Sequence, residues 1–257
     1  MKTSILKSFG TVLSIFFFLF SGISVLAQSP VIKNVVLVHG AFVDGSGYRG
    51  IYDILSKKGY NVTVVQNPLS SLADDVEATK AALDRQDGPA ILVGHSYGGS
   101  VITEAGDHPK VAALVYVAAF QPAEGESALD WAKTEPGSPK NGILPADEKG
   151  ILYYDKEKFH AGFAADVPKA QADFMYASQG RFAAAALSAK VTKAPWKIKP
   201  SYGIVATQDQ AILPSIQRKM YKKANAAITE IKGSHAVFIS HPQEVADVII
   251  RASKGKR

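Results

Sequence analysis

Three residues of this 257-residue chain could together carry nucleophilic catalysis, and they occur in the order Ser96, Asp209, His235. A serine hydroxyl is unreactive at its own pKa; it attacks a carbonyl only when a neutral imidazole within hydrogen-bond reach takes its proton and a buried carboxylate orients that imidazole. Ser96 lies in Ile91-Leu92-Val93-Gly94-His95-Ser96-Tyr97-Gly98-Gly99, where an apolar, β-prone run enters Gly-x-Ser-x-Gly and continues into helix-compatible residues. This spacing predicts a nucleophile elbow, a strained strand-to-helix turn that Gly94 and Gly98 leave room for. The helix would start beneath the serine and aim the Tyr97 N–H at a developing oxyanion. A second apolar run, Val35 to Val38, ends in His39-Gly40-Ala41-Phe42, a turn suited to supplying the other oxyanion donor from Ala41 N–H.

The acid and the base each have rivals. Glu124 and Asp130 also follow a core strand, but Glu124-Gly125-Glu126 is a polar turn where a carboxylate would be hydrated, whereas Gly203-Ile204-Val205-Ala206 delivers Asp209 from a buried run. His235 is preferred over His241 because Ser240, His241 and Pro242 read as a helix start, with Ser240 and Gln243 as a capping box. His39 and His95 read as framework beside the oxyanion turns, and His108 and His160 as surface residues. No two histidines have metal-ligand spacing with a nearby acid, and no Gly-x-Gly-x-x-Gly follows a strand, so neither a metal nor a cofactor is expected.

These residues need a scaffold that brings several strand ends to one edge. Continuous apolar strands at Asn34–His39, Asn61–Val65, Ile91–Val93, Val111–Val117, Ser201–Ala206 and Ala227–Ile231 alternate with amphipathic helices. That alternation predicts a mainly parallel six-stranded sheet with helices on both faces. One helix has its apolar spacing at Tyr48, Ile51, Tyr52 and Leu55, and another starts at Ser71 with Asp74 three residues on. Between about 121 and 195 no β-prone run recurs, and prolines punctuate polar turns and Ala-rich helical stretches, so this insertion is expected to form a helical cap over the active-site edge. Its nine large apolar residues, Trp131, Tyr153, Tyr154, Phe159, Phe163, Phe174, Met175, Tyr176 and Phe182, could line a pocket, though about two-thirds should simply pack the cap. The sequence assigns no individual substrate-contacting residue.

Composition sets outer limits. A chain that is 47% hydrophobic and 20% charged fits one globular domain, and with no cysteine it has neither disulfides nor a thiol nucleophile. Lys2 and Lys7 precede the apolar run Val12–Phe20, and Val25-Leu26-Ala27 has the small-residue pattern of a cleavage site. Residues 1–27 are therefore expected to be an export signal, leaving a periplasmic or secreted domain over 28–257 without a stable membrane anchor; the intact mass of the exported protein reads this directly. Losing Lys2 and Lys7 lowers the formal charge from +6 to +4. The remaining lysines are scattered, which argues against a nucleic-acid partner.

With these residues in hand, the chain resembles α/β-hydrolase-fold serine hydrolases. It is most similar to the small-esterase branch that includes plant methylesterases and hydroxynitrile lyases. The matching stretches are Val38 to Phe42, Asp44 to Gly47, Gly94 to Gly99, Ala206 to Asp209 and Gly233 to His235. The resemblance implies hydrolysis of a small carboxylic ester through an acyl-Ser96 intermediate. Two alternatives remain open: a lyase using the same triad as a base, and a non-catalytic ligand-binding member of the fold. In the lyases that the chain resembles, a threonine stands at Gly40 and a lysine at Ala236, and both departures favour hydrolysis.

Overall fold

The computed structural model describes residues 31–256; the expected signal, residues 1–27, lies outside them. Strands β1 (Asn34–Val38), β2 (Asn61–Val65), β3 (Ala90–His95), β4 (Val111–Val117), β7 (Ser201–Ala206) and β8 (Ala227–Ile231) form a sheet in the order β2-β1-β3-β4-β7-β8. Every pairing in it is parallel. Strands β1, β3 and β7 are buried throughout, while the edge strand β8 alternates half-exposed and exposed residues up to the buried Ile231, as a strand covered on one side must. Helix α1 (Arg49–Lys57) packs with α10 (Pro242–Ser253), and α2 (Leu72–Asp84) packs with α3 (Gly98–Ala105), giving a helical layer on each face. Among the described residues no helix is long and apolar enough to cross a membrane.

Register is what positions the site. Val38 pairs with Gly94, His95 with Val117, Val117 with Ile204 and Ala206 with Ile231, so the carboxyl ends of five strands finish level. The chain also reverses direction across the sheet at β1, whose neighbours are β2 and β3. Ligand sites of open α/β sheets lie in the crevice that such a reversal opens.

Between β4 and β7 the chain leaves the sheet for α4 (Ala128–Ala132), β5 (Ile151–Leu152), α5 (Lys156–Phe163), α6 (Lys169–Ala177), β6 (Phe182–Ala183) and α7 (Ala184–Ser188). Its neck is closed by hydrogen bonds from Gly125 N to Val191 O (2.8 Å) and from the Trp196 indole to Pro122 O (3.0 Å). The expectation of a strand-free insertion is corrected here, since β5 and β6 pair antiparallel. Two residues per strand are too few to leave a periodic signal.

Three smaller expectations also change. Tyr52 faces solvent at 41% exposure, so α1 buries Ile51 and Leu55 only. His108 and His160 are half-buried, meeting Asp84 and the Val167 carbonyl. Ser240 ends the short helix α9 (Val237–Ser240) and caps nothing, because its hydroxyl is taken by Asp166 (2.9 Å); the N-cap of α10 is His241. The predicted start of α2 does form, with Ser71 Oγ accepting from Asp74 N at 3.1 Å.

Candidate active site

Ser96 follows the last residue of β3 with φ +54°, a left-handed conformation that is costly for any residue other than glycine. The turn survives because nothing bulky flanks it. A β-carbon at position 94 would stand 2.5 Å from Gly98 O, and one at position 98 would stand 2.7 Å from Val38 O. Hydrogen bonds from Gly99 N and Phe120 N to Ser96 O hold the turn against the end of β4.

The Ser96 hydroxyl donates to His235 Nε2 (2.8 Å), and His235 Nδ1 donates to Asp209 Oδ2 (2.7 Å). A carboxylate can only accept, which fixes the proton of the neutral ring on Nδ1 and leaves Nε2 free to accept from serine. Asp209 is fully buried, and its other lone pairs take Ala211 N (2.8 Å), Ile212 N (3.0 Å) and the Gln217 amide (2.8 Å). Two further backbone bonds, Thr207 N to Ile231 O (2.9 Å) and Gln208 N to Gly233 O (3.0 Å), tie the loop carrying Asp209 to the loop carrying His235. The rival acids lie elsewhere: Glu124 and Asp130 are exposed, and Asp130 closes the capping box of α4 with Ser127. His241 Nδ1 meets Ser240 Oγ and not Ser96.

Ala41 and Tyr97 both border the cavity at Ser96, and neither backbone N–H has a partner among the described residues. The turn carrying Ala41 is pressed onto the nucleophile, since a β-carbon at position 40 would lie 2.6 Å from Ser96 Cβ. His39 braces it, donating from Nδ1 to Gly40 O (2.9 Å) and accepting Asn67 N at Nε2 (2.9 Å). Burial pulls the His39 pKa down, keeping that acceptor nitrogen unprotonated. His95 donates from Nε2 to His235 O (2.9 Å) and packs its ring 4.7 Å from the His235 ring. Its pKa is also driven down by burial, so His95 stays uncharged beside His235. Both histidines act as framework, as their positions in the sequence suggested.

The remaining walls come from Phe42, Phe120, Ile143, Leu152, Tyr154, Phe163, Phe182, Leu187, Ala211 and Ile212, around a free volume of about 40 Å³. Only three of the nine large apolar cap residues, Tyr154, Phe163 and Phe182, line it, while Phe174 is 68% exposed. A groove of about 630 Å³ between α2 and residues 189–192 is larger, but it is open and holds none of Ser96, Asp209 and His235.

Sequence reasoning missed the residues that hold these groups in place. Gln217 carries Asp209; Asp75 accepts the Tyr97 hydroxyl (2.8 Å) and Leu69 N (2.7 Å); Asp166 accepts Ser234 N (2.8 Å) next to His235. None stands in a motif; Gln217 and Asp209, eight residues apart, meet only because a helix turns back onto its loop, and Asp75 and Asp166 lie 22 and 68 residues from Tyr97 and Ser234.

Residues 35–248 match the family model described as the alpha/beta hydrolase family. An α/β hydrolase of Aspergillus novofumigatus is 28% identical over 243 residues, covering 85% of this chain and 96% of the relative. A pyrethroid hydrolase of Sphingobium wenxiniae is 27% identical over 254 residues, covering 85% and 86%. The crystal structure of a pyrethroid hydrolase from Sphingobium faniae JZ-2 superposes with a TM-score of 0.72 at 25% identity, covering 86% of this chain and 97% of that one. With its six-stranded parallel sheet and a family match over most of its length, the chain belongs to the α/β-hydrolase family.

Proposed function

We propose that the protein is a serine esterase acting on small, uncharged carboxylic esters through an acyl-Ser96 intermediate. The observation that carries this is the unbroken hydrogen-bond chain Ser96–His235–Asp209 beside two unpartnered N–H groups. Ser96 Oγ attacks the ester carbonyl carbon as His235 Nε2 takes its proton, and the buried Asp209 carboxylate stabilises the imidazolium. Ala41 N–H and Tyr97 N–H face the oxyanion, each worth about 3 kcal/mol in the transition state. The alcohol leaves with the proton from His235 Nε2. Water then attacks the acyl carbon, giving its proton to His235, and collapse of that adduct releases the carboxylic acid and returns the proton to Ser96 Oγ.

The cavity supports an uncharged substrate, because His235 is the one ionisable side chain besides tyrosine that lines it and an unpaired charge would be costly there. Relatives that hydrolyse pyrethroids fit the same reading. Hydrolysis is favoured over lyase chemistry by the contact at position 40, where a threonine side chain would start 2.6 Å from Ser96 Cβ. A fluorophosphonate probe is expected to label Ser96 stoichiometrically, and Ser96→Ala to lose both labelling and turnover of p-nitrophenyl esters. Labelling at another residue, or full turnover in the alanine variant, would refute this function.

A further inference from the structure

His235 sits on a loop between β8 and α9 with Gly233 on its approach, and its carbonyl is held from the sheet side by His95 Nε2 (2.9 Å). The cap segment 163–166 holds that loop on both sides of the histidine. Upstream, Asp166 accepts Ser234 N at Oδ2 (2.8 Å) and the Ser234 hydroxyl at Oδ1. Downstream, Phe163 O accepts Ala236 N (3.0 Å), and the Phe163 ring meets the His235 ring edge-on at 4.7 Å. The fit is close, since a β-carbon at Gly233 would stand 3.0 Å from Asp166 Oδ2. The same carboxylate also takes Ser240 Oγ (2.9 Å) and lies 3.7 Å from His241 Nδ1, both on the far side of the loop from His235 in sequence.

We propose that Asp166 is a positioning residue for His235, through which the cap sets the catalytic base and is not merely a cover over it. The inference rests on the esterase reading above. Ser234 is buried, so removing the carboxylate leaves its N–H without a partner and frees the approach to the histidine. His235 Nε2 must meet both Ser96 Oγ and the leaving oxygen, and a displacement of about 1 Å in such a group costs up to about 10²-fold in rate.

The test measures kcat and KM per fluorophosphonate-labelled site for Asp166→Ala, Asp166→Asn, Ser234→Ala and His241→Ala, and turnover per mole of protein for Ser96→Ala, which has no site to label. Asp166→Ala is expected to lower kcat between about 10- and 100-fold with KM within about twofold. Asp166→Asn should recover most of that loss, because the amide still accepts from Ser234 N and can donate to its hydroxyl. Ser234→Ala keeps the backbone bond and should lose only about 3- to 10-fold in kcat, which tests the inference even if Asp166→Ala fails to fold. His241→Ala, which removes an imidazole that meets Ser240 Oγ and Asp166 but not Ser234, should turn over normally. Wild-type kcat per labelled site in Asp166→Ala or Ser234→Ala overturns the proposal, as does an Asp166→Asn variant as slow as Asp166→Ala. Turnover surviving in Ser96→Ala would instead sink the esterase reading itself.

Discussion

The Asp209 carboxylate accepts four hydrogen bonds, and only one of them comes from His235. The other three come from fixed donors, so the carboxylate is held before it does any chemistry. An asparagine there would set an NH2 group against the donors of either Gln217 and His235 or Ala211 and Ile212. Turned toward His235, it forces the imidazole proton onto Nε2, where the ring can no longer accept from Ser96. Asp209→Asn is therefore expected to keep the fold while lowering kcat by up to about 10⁴-fold. Glu124→Gln and Asp130→Asn, at exposed positions, should turn over normally. Steady-state kinetics on one p-nitrophenyl ester decides it, and the reverse pattern would move the acid elsewhere. Asp209 was legible because a buried strand run ends three residues before it. Gln217 was not, because nothing in Pro214–Lys223 marks the one face of the helix that turns its amide into the site.

At the scale of elements, α2 was predicted from its start signal, yet its most consequential residue had no signal at all. Two acids in a first turn read as solvated charges favourable to the helix dipole. Asp74 is such a charge; Asp75 is fully buried and joins three parts of the molecule. Its carboxylate takes the hydroxyl of Tyr97, the residue whose N–H is proposed to hold the oxyanion, and the N–H of Leu69. The Leu69 carbonyl in turn accepts Ala183 N from β6 in the cap (3.0 Å). Burial without a cationic partner pushes the Asp75 pKa up to about 6, from 3.8 when unfolded. A carboxyl raised on folding gives stability that is fully present below its unfolded value and is lost as pH rises through the folded one. The wild-type chain is thus expected to lose stability relative to Asp75→Asn between about pH 4 and pH 7, since the amide keeps both contacts without a charge to desolvate. Urea unfolding of the pair across that range measures the difference, and a gap that does not change with pH contradicts it.

For the molecule as a whole, the parallel sheet was readable because apolar runs and strand-end turns are local signals, whereas the cap's packing depends on contacts between segments dozens of residues apart. That packing leaves a free volume of about 40 Å³ at Ser96, against about 300–1,000 Å³ for typical small-molecule pockets, so substrate entry requires the walls to move. The two sides of the cap are fastened unequally. Segment 163–166 is bonded into the loop of His235, while the lip at 138–144 rests on the Asp209 loop through Ser138 Oγ to Gln210 Oε1 (2.6 Å) and a longer bond from Asn141 to Ala211 O (3.4 Å). Ile143, on that lip, is the one wall residue with a large exposed fraction, at 40%. The opening therefore belongs on the side of Ile143, which limits what passes without touching the catalytic groups. Ile143→Ala is expected to raise kcat/KM for p-nitrophenyl octanoate relative to the acetate by about 10-fold or more, since each methylene gained in an apolar pocket is worth about 1–3 kcal/mol. Stability should change little, because the side chain is already half in water. An octanoate-to-acetate ratio equal to that of the wild type would place the entrance elsewhere in the cap.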